Sequence, residues 1–174
     1  MSIFSQARVV TDFPELRRAR QAAEPPESTW IASIDLGMMS DPTALALIEK
    51  TTTDKDGKRV HRFAVRHLQR WLGVDYPTIA DQLRPLLAAL PAPPAFIVDN
   101  TGVGIAVTQI FRRAKLPLSK TVPITITAGH TVNVNPLGGF NVPKKELVSV
   151  CQSALQGKRC LLYTSDAADD LTRV

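Results

Sequence analysis

The stretch that decides the fold is Trp30–Lys50, WIASIDLGMMSDPTALALIEK. Two apolar runs, Trp30–Leu36 and Thr43–Ile48, flank a break containing Gly37, Asp41 and Pro42, a pattern that predicts two strands joined by a tight connection. Asp35 ends the first run among residues that otherwise belong in a core. A carboxylate there is costly to bury unless it holds a metal or a paired partner, so the chemistry is expected at this point.

Beyond these strands, Thr51–Lys58 reads as a polar connection turning at Asp56-Gly57, and Arg59–Trp71 as a third strand in hairpin order. Asp75 is a candidate N-cap, with Pro77 in the first turn and Ile79, Leu83, Leu86, Leu87 and Leu90 at helical spacing. Pro85 inside that run is expected to kink or split the helix. Pro91–Pro94 leads into Ala95–Asp99, AFIVD, a second short apolar run that ends in a carboxylate. Asn100-Thr101-Gly102-Val103-Gly104 follows, then a helix with Val107, Ile110, Phe111 and Ala114 on one face. Strand, glycine turn and helix predict a parallel crossover unit, and ligands in such sheets gather at the carboxyl ends of strands, where Asp35 and Asp99 both stand.

Val122, Ile124 and Ile126 alternate as another strand, with Pro123 pointing to an edge or a strand start. Thr131–Val142 reads as a hairpin or loop turning over 135–139. Pro143 then opens a helix with Leu147, Val150, Cys151, Ala154 and Leu155 on one face, closed by Gly157, before a last short strand over Lys158–Leu162. Trp30, Trp71 and Phe111 are read as core.

With 174 residues, 44% of them hydrophobic, the chain suffices for one good core. Residues 1–29, with Arg17, Arg18 and Arg20 and then Pro25 and Pro26, read as a leader or linker that leaves room for a short helix over Pro14–Ala23. The domain proper is expected over 30–162. Residues 163–174, YTSDAADDLTRV, resemble a translated sequencing adapter and are expected to be a non-native tail. The formal charge is +5; without that tail 20 basic residues face 13 acidic ones, a charge of +7 that favours a polyanionic partner. Cys151 and Cys160 have no metal-ligand spacing, and Cys151 fits a small core residue in a reduced protein. No apolar run approaches the ~18 residues of a membrane helix, and no signal-peptide pattern opens the chain, which predicts a soluble cytoplasmic protein.

If the strands ending at Asp35 and Asp99 are parallel neighbours, they lie about 4.8 Å apart and both carboxylates reach one crevice. They repel unless a divalent cation neutralises them. Two ions about 3.5–4 Å apart would activate a water and stabilise the leaving oxygen of a phosphodiester. Hard Mg²⁺ or Mn²⁺ suits such oxygen ligands better than Zn²⁺, since neither motif carries His or Cys. Asp41 reads mainly as a turn residue. Asp99 also fits a simple helix cap, and Gly102 and Gly104 fit close helix–strand packing as well as a phosphate contact. Lys144 and Lys145 are candidate nucleic-acid contacts or a solvated first turn. Arg62, Arg66 and Arg70 recur at even spacing, hence on one strand face, as a basic stripe or the wet side of a hairpin. His61, His67 and His130 stand isolated.

The series IDLG, SDPTALALIE, IVDNTGVG, TITAG and VPKKELV resembles the RNase H-like nuclease domain of phage terminase large subunits over about Trp30–Leu162. The resemblance implies an α/β fold, an RNase H-like mixed sheet of three antiparallel strands followed by parallel strands, flanked by helices. It implies a metal-dependent endonuclease that cuts concatemeric double-stranded DNA during packaging, working with a packaging ATPase and a portal in the host cytoplasm. Asp35 matches the family's first-strand acid and Asp99 its fourth-strand acid. The third acid lies on a helix near the family domain's C-terminus, beyond the natural-looking sequence; Asp169-Asp170 lies in adapter-like surroundings and is not assigned. No G-x-x-x-x-G-K-[ST] phosphate loop occurs. Two other classes stay open: an actin-like or sugar-kinase-like ATPase with a D-x-G phosphate loop, although Met38 and Met39 stand where small hydroxyl residues are usual, and a catalytically inactive nucleic-acid-binding module of the same fold.

Overall fold

The computed structural model describes residues 27–37, 40–55, 57–101, 104–136 and 138–162. The leader up to residue 26, the tail from 163 and Gly102 therefore lie outside the described residues. Eight strands, β1 (Glu27–Asp35), β2 (Thr43–Lys55), β3 (Lys58–Trp71), β4 (Ala95–Asp99), β5 (Lys120–Thr127), β6 (Asn133–Val134), β7 (Phe140–Pro143) and β8 (Cys160–Leu162), form one mixed sheet. Among the described residues three helices accompany it: α1 (Tyr76–Ala88), α2 (Gly104–Arg113) and α3 (Lys144–Gln156). The order across the sheet is β6-β7-β5-β4-β1-β2-β3-β8. The first three strands pair antiparallel, and β4, β5 and β7 then extend the sheet in parallel from β1. This is the expected mixed α/β architecture, compatible with an RNase H-like sheet.

Several elements run longer than their polarity suggests. β1 begins at Glu27, three residues before Trp30, and Trp30 is half-buried rather than core. β2 continues through the predicted connection to Lys55, because Thr51, Thr52 and Thr53 are β-branched residues that suit a half-exposed pleat and pair with Arg62, His61 and Val60.

Alternation sorts the sheet into two faces. Ala32, Ile34, Leu45, Leu47, Phe96 and Val98 share the first face, where they are buried under Ile79, Leu83 and Leu87 of α1 and Val107 and Phe111 of α2. Phe96 and Phe111 meet with ring centroids 5.7 Å apart, and Trp71 donates its indole N–H to Gln82 Oε1 at 2.7 Å. Asp75 caps α1 as predicted, its Oδ1 accepting the Thr78 N–H at 2.7 Å, a bond that holds its pKa below the usual carboxylate value. Pro85 does not split this helix. Both Pro85 and Asp81, whose carbonyl loses its partner, face solvent, while Leu83, Leu86 and Leu87 anchor the turn.

Pro123 does not mark an edge either, since β5 lies between β4 and β7. The Ile124 carbonyl points to β4, where it accepts from the Asn100 N–H, so Pro123 turns the other way, toward a flank that β7 joins only from Ile124↔Phe140 onward. No ladder bond is lost there. Gly139 fills that flank at φ +85°, and a Cβ on it would come 2.0 Å from the Pro123 carbonyl oxygen.

α3 starts after Pro143 and closes at Gly157 as predicted, but its apolar face is not covered by the described residues. Ala154 alone is buried in it; Val150, Cys151 and Leu155 are exposed. The periodicity is that of an amphipathic helix, but burial depends on what lies opposite. Among the described residues no helix is long and apolar enough to cross a membrane.

Phe96, fully buried between the sheet and α2, supports the first-face core. Phe96→Ala is expected to cost about 3–5 kcal/mol. Urea unfolding should show a lowered midpoint with little change of slope.

Candidate functional site

Asp35 and Asp99 close adjacent parallel strands in register: the β1–β4 ladder runs from Ile31↔Ala95 to Asp35↔Asp99. Both have the parity opposite to the core residues Ile34 and Val98, so both stand on the second face of the sheet, on strands about 4.8 Å apart. The parallel, adjacent placement expected of the strands that end in the two carboxylates is therefore found. Asp35 is exposed and Asp99 half-buried. The Asp35 carboxyl is pushed above the usual carboxylate range by partial desolvation, then by the neighbouring charges of Asp99 and Asp41.

Each of the two strands runs into its own fixed turn. After Asp35 the chain folds back so tightly that a Cβ on Gly37 would lie 2.1 Å from the Asp41 carbonyl oxygen. Gly37 donates its N–H to Thr43 Oγ1 at 3.2 Å, and its carbonyl accepts the Tyr76 hydroxyl at 2.8 Å. Asp41 thus serves the turn through its backbone, and its charge bears on Asp35. On the other strand, Asp99 Oδ1 accepts the Thr101 N–H at 2.8 Å, an Asx-type turn and not a helix cap, since α2 begins only at Gly104. Thr101 Oγ1 in turn accepts the Ile126 N–H at 2.7 Å, and Asn100 Oδ1 accepts the buried Thr108 hydroxyl at 3.0 Å. These bonds lock the exit of β4 to β5 and α2. Thr101 and Asn100 were readable as turn residues in VDNTG; Tyr76 was not, because its partner lies 39 residues away.

Lys144 and Lys145 open α3 beside the end of β5, where Pro143 pairs with Thr127. With Thr127, Gly129, Val148 and Gln152 they line an open groove of about 500 Å³. Lys145 Nζ lies 2.7 Å from His130 Nδ1. The other histidines pair elsewhere, His61 with Thr52 and His67 with Gln69, and none bonds to either carboxylate.

The three arginines of β3 do not form one stripe. The β2–β3 register shifts between Leu47↔His67 and Ile48↔Val65, which makes Arg66 the extra residue of a bulge. Arg62, opposite Thr51, falls on the first-face side, whereas Arg70, opposite Ala44, falls on the carboxylate side. Arg66 is spent on Glu49, with Nε at 2.9 Å and a second nitrogen at 2.6 Å from Oε2. Burial pushes Glu49 upward, but hydrogen bonds from Ser28 and Arg66 hold it below its ordinary pKa.

Among the described residues no group of three or more His, Cys, Asp or Glu gathers as a metal cluster. The hard-oxygen groups brought together are Asp35 and Asp99, and the upward shift of Asp35 comes first from partial desolvation and then from the charges of Asp99 and Asp41.

No family model matches the chain, and no curated protein sequence matches it. Among solved structures, one described as a nucleoside triphosphate hydrolase from Neospora caninum is 13% identical, with a TM-score of 0.32 over 75% of this chain. The chain spans 38% of that structure's length, and a likeness so low carries no statement about activity.

Two measurements check the electrostatics and the turn. Asp35 binds its proton more tightly folded than unfolded, so its ionisation weakens the fold as pH rises from the unfolded value of 3.8 through the folded one. Asp35→Asn should therefore stabilise the cation-free protein at neutral pH by no more than about 1 kcal/mol given solvent screening, seen as a raised thermal midpoint, and the gain should vanish below pH 3.8. Gly37→Ala should cost about 3 kcal/mol or more in urea unfolding, because the added methyl meets backbone rather than a movable side chain.

Proposed function

We propose that this chain is a metal-dependent DNA endonuclease domain of the type that phage terminase large subunits carry, acting on concatemeric double-stranded DNA during genome packaging in the host cytoplasm. The observation that carries this reading is the in-register pairing of Asp35 with Asp99 at the carboxyl ends of adjacent parallel strands. Two carboxylates so placed, with Asp35 shifted upward by burial and by the other's charge, are a hard-oxygen donor pair suited to Mg²⁺ or Mn²⁺.

Bound divalent ions would supply Lewis acidity toward a phosphodiester. The chain's own contribution is to hold both carboxylates in place before substrate arrives. The Gly37 turn, tied by Thr43 and Tyr76, orients Asp35, and the Thr101 N–H orients Asp99. Lys144 and Lys145 provide positive charge at the end of β5, the strand next to β4, for the DNA backbone. A packaging ATPase and a portal are the partners that this reading implies.

Supercoiled plasmid incubated with the protein and Mn²⁺ should be nicked or linearised. Asp35→Asn, Asp99→Asn and EDTA should each reduce cleavage to background, and Mn²⁺ should raise the thermal midpoint of the wild type but of neither variant. Cleavage that survives both substitutions would overturn the assignment. Cation binding and DNA binding without cleavage would mark an inactive nucleic-acid-binding module instead.

A further inference from the structure

The bulge in β3 sets which arginine flanks the two carboxylates, and the role assigned to that arginine rests on the nuclease reading. Cross-strand partners project to the same face of a sheet, and one row of partners reads Arg70↔Ala44↔Asp35↔Asp99↔Ile124. Without the extra residue at Arg66, Arg70 would share the face of Arg62; with it, Arg70 stands on the carboxylate face, two strands or about 10 Å from Asp35. The residue between them is Ala44, whose side chain is too small to screen one from the other. Arg70 is exposed, and among the described residues it makes no ion pair or side-chain hydrogen bond. Arg66 on the same strand is already bonded to Glu49, and Arg62 lies on the other face.

A guanidinium beside a pair of carboxylates, separated from them by one alanine, suits an anion that bridges cation and arginine. A phosphodiester backbone would do so: with one phosphate at the Asp35–Asp99 pair, a neighbouring phosphate would accept the fork of N–H donors. We propose that Arg70 is a phosphate-binding residue of this site. Lys144 follows the residue of β7 that pairs with the end of β5, on the far side of the carboxylates from Arg70. The two cationic ends thus set the course of the bound strand across the carboxyl ends of β1, β4 and β5 and the neighbouring ends of β2 and β3, at right angles to the sheet's strands. The path from β3 to β7 covers five strand spacings, about 24 Å, or roughly seven nucleotides at 3.4 Å each.

The test is binding of a fluorescent 20-base-pair duplex in Ca²⁺, followed by anisotropy as salt is raised, for the wild type, Arg70→Ala, Arg70→Lys and Arg62→Ala. Arg70→Ala should weaken binding about 5- to 10-fold and lower the slope of log K against log salt by about 1. Arg70→Lys should keep the slope, since the charge stays, while losing about half of the affinity. Arg62→Ala, the same residue type on the same strand but on the opposite face, should stay within about twofold of the wild type. Thermal melts of the variants should coincide. If Arg70→Ala and Arg62→Ala are indistinguishable while the wild type binds DNA and Mn²⁺, the Arg70 assignment falls and the nuclease reading stands. If the wild type binds neither DNA nor Mn²⁺, both fall together.

Discussion

The site depends on one constraint, the parallel pairing of β1 with β4. Backbone hydrogen bonds between these strands hold Asp35 level with Asp99, and side-chain alternation sends both carboxylates to the face away from the core. A slip of one residue in that register would bury one carboxylate under α1 and α2, a cost no partner there could offset. The pairing is over-determined because Ala32, Ile34, Phe96 and Val98 are all fully buried on the other side of the same two strands. Core packing on one face thus sets the charge geometry on the other.

The turns after the two strands carry that rigidity to the functional groups. Gly37 permits the backbone of Asp41 and Pro42 to approach where any side chain would collide, and Tyr76 ties the same turn to α1 while its ring leans on Phe111 at 6.5 Å. Thr101 satisfies an Asp99 oxygen with its N–H and the Ile126 N–H with its hydroxyl. The Asp99 carboxylate is thus anchored through one oxygen, while the Asp35 carboxyl is raised first by partial desolvation and then by the charges of Asp99 and Asp41.

Charge on this molecule is distributed less evenly than its strand spacings imply. Three arginines spaced four apart on β3 share a face only if the strand has no bulge, and β3 has one at Arg66. The bulge sends Arg70 to the carboxylates, gives Arg66 to Glu49, and leaves Arg62 on the far side. α3 shows the same dependence on context: its sequence is amphipathic, but Val150 and Leu155 remain exposed among the described residues because nothing described lies opposite them.

Most strands and helices were legible in the sequence, with 131–142 open between hairpin and loop, as were the hairpin order of the first three strands, the Asp75 cap and the two carboxylates at strand ends. These follow from local rules, namely alternation, helical spacing and turn chemistry, which act over a few residues. Only the tertiary structure decided that β1 and β4 are neighbours in register, that Pro123 sits harmlessly beside the start of β7, that Pro85 is absorbed on a wet face, and that Arg70 and not Arg62 shares a row with Asp35. Each of those depends on which distant segment lies alongside, and a strand's own residues do not encode the register or bulge of its partner.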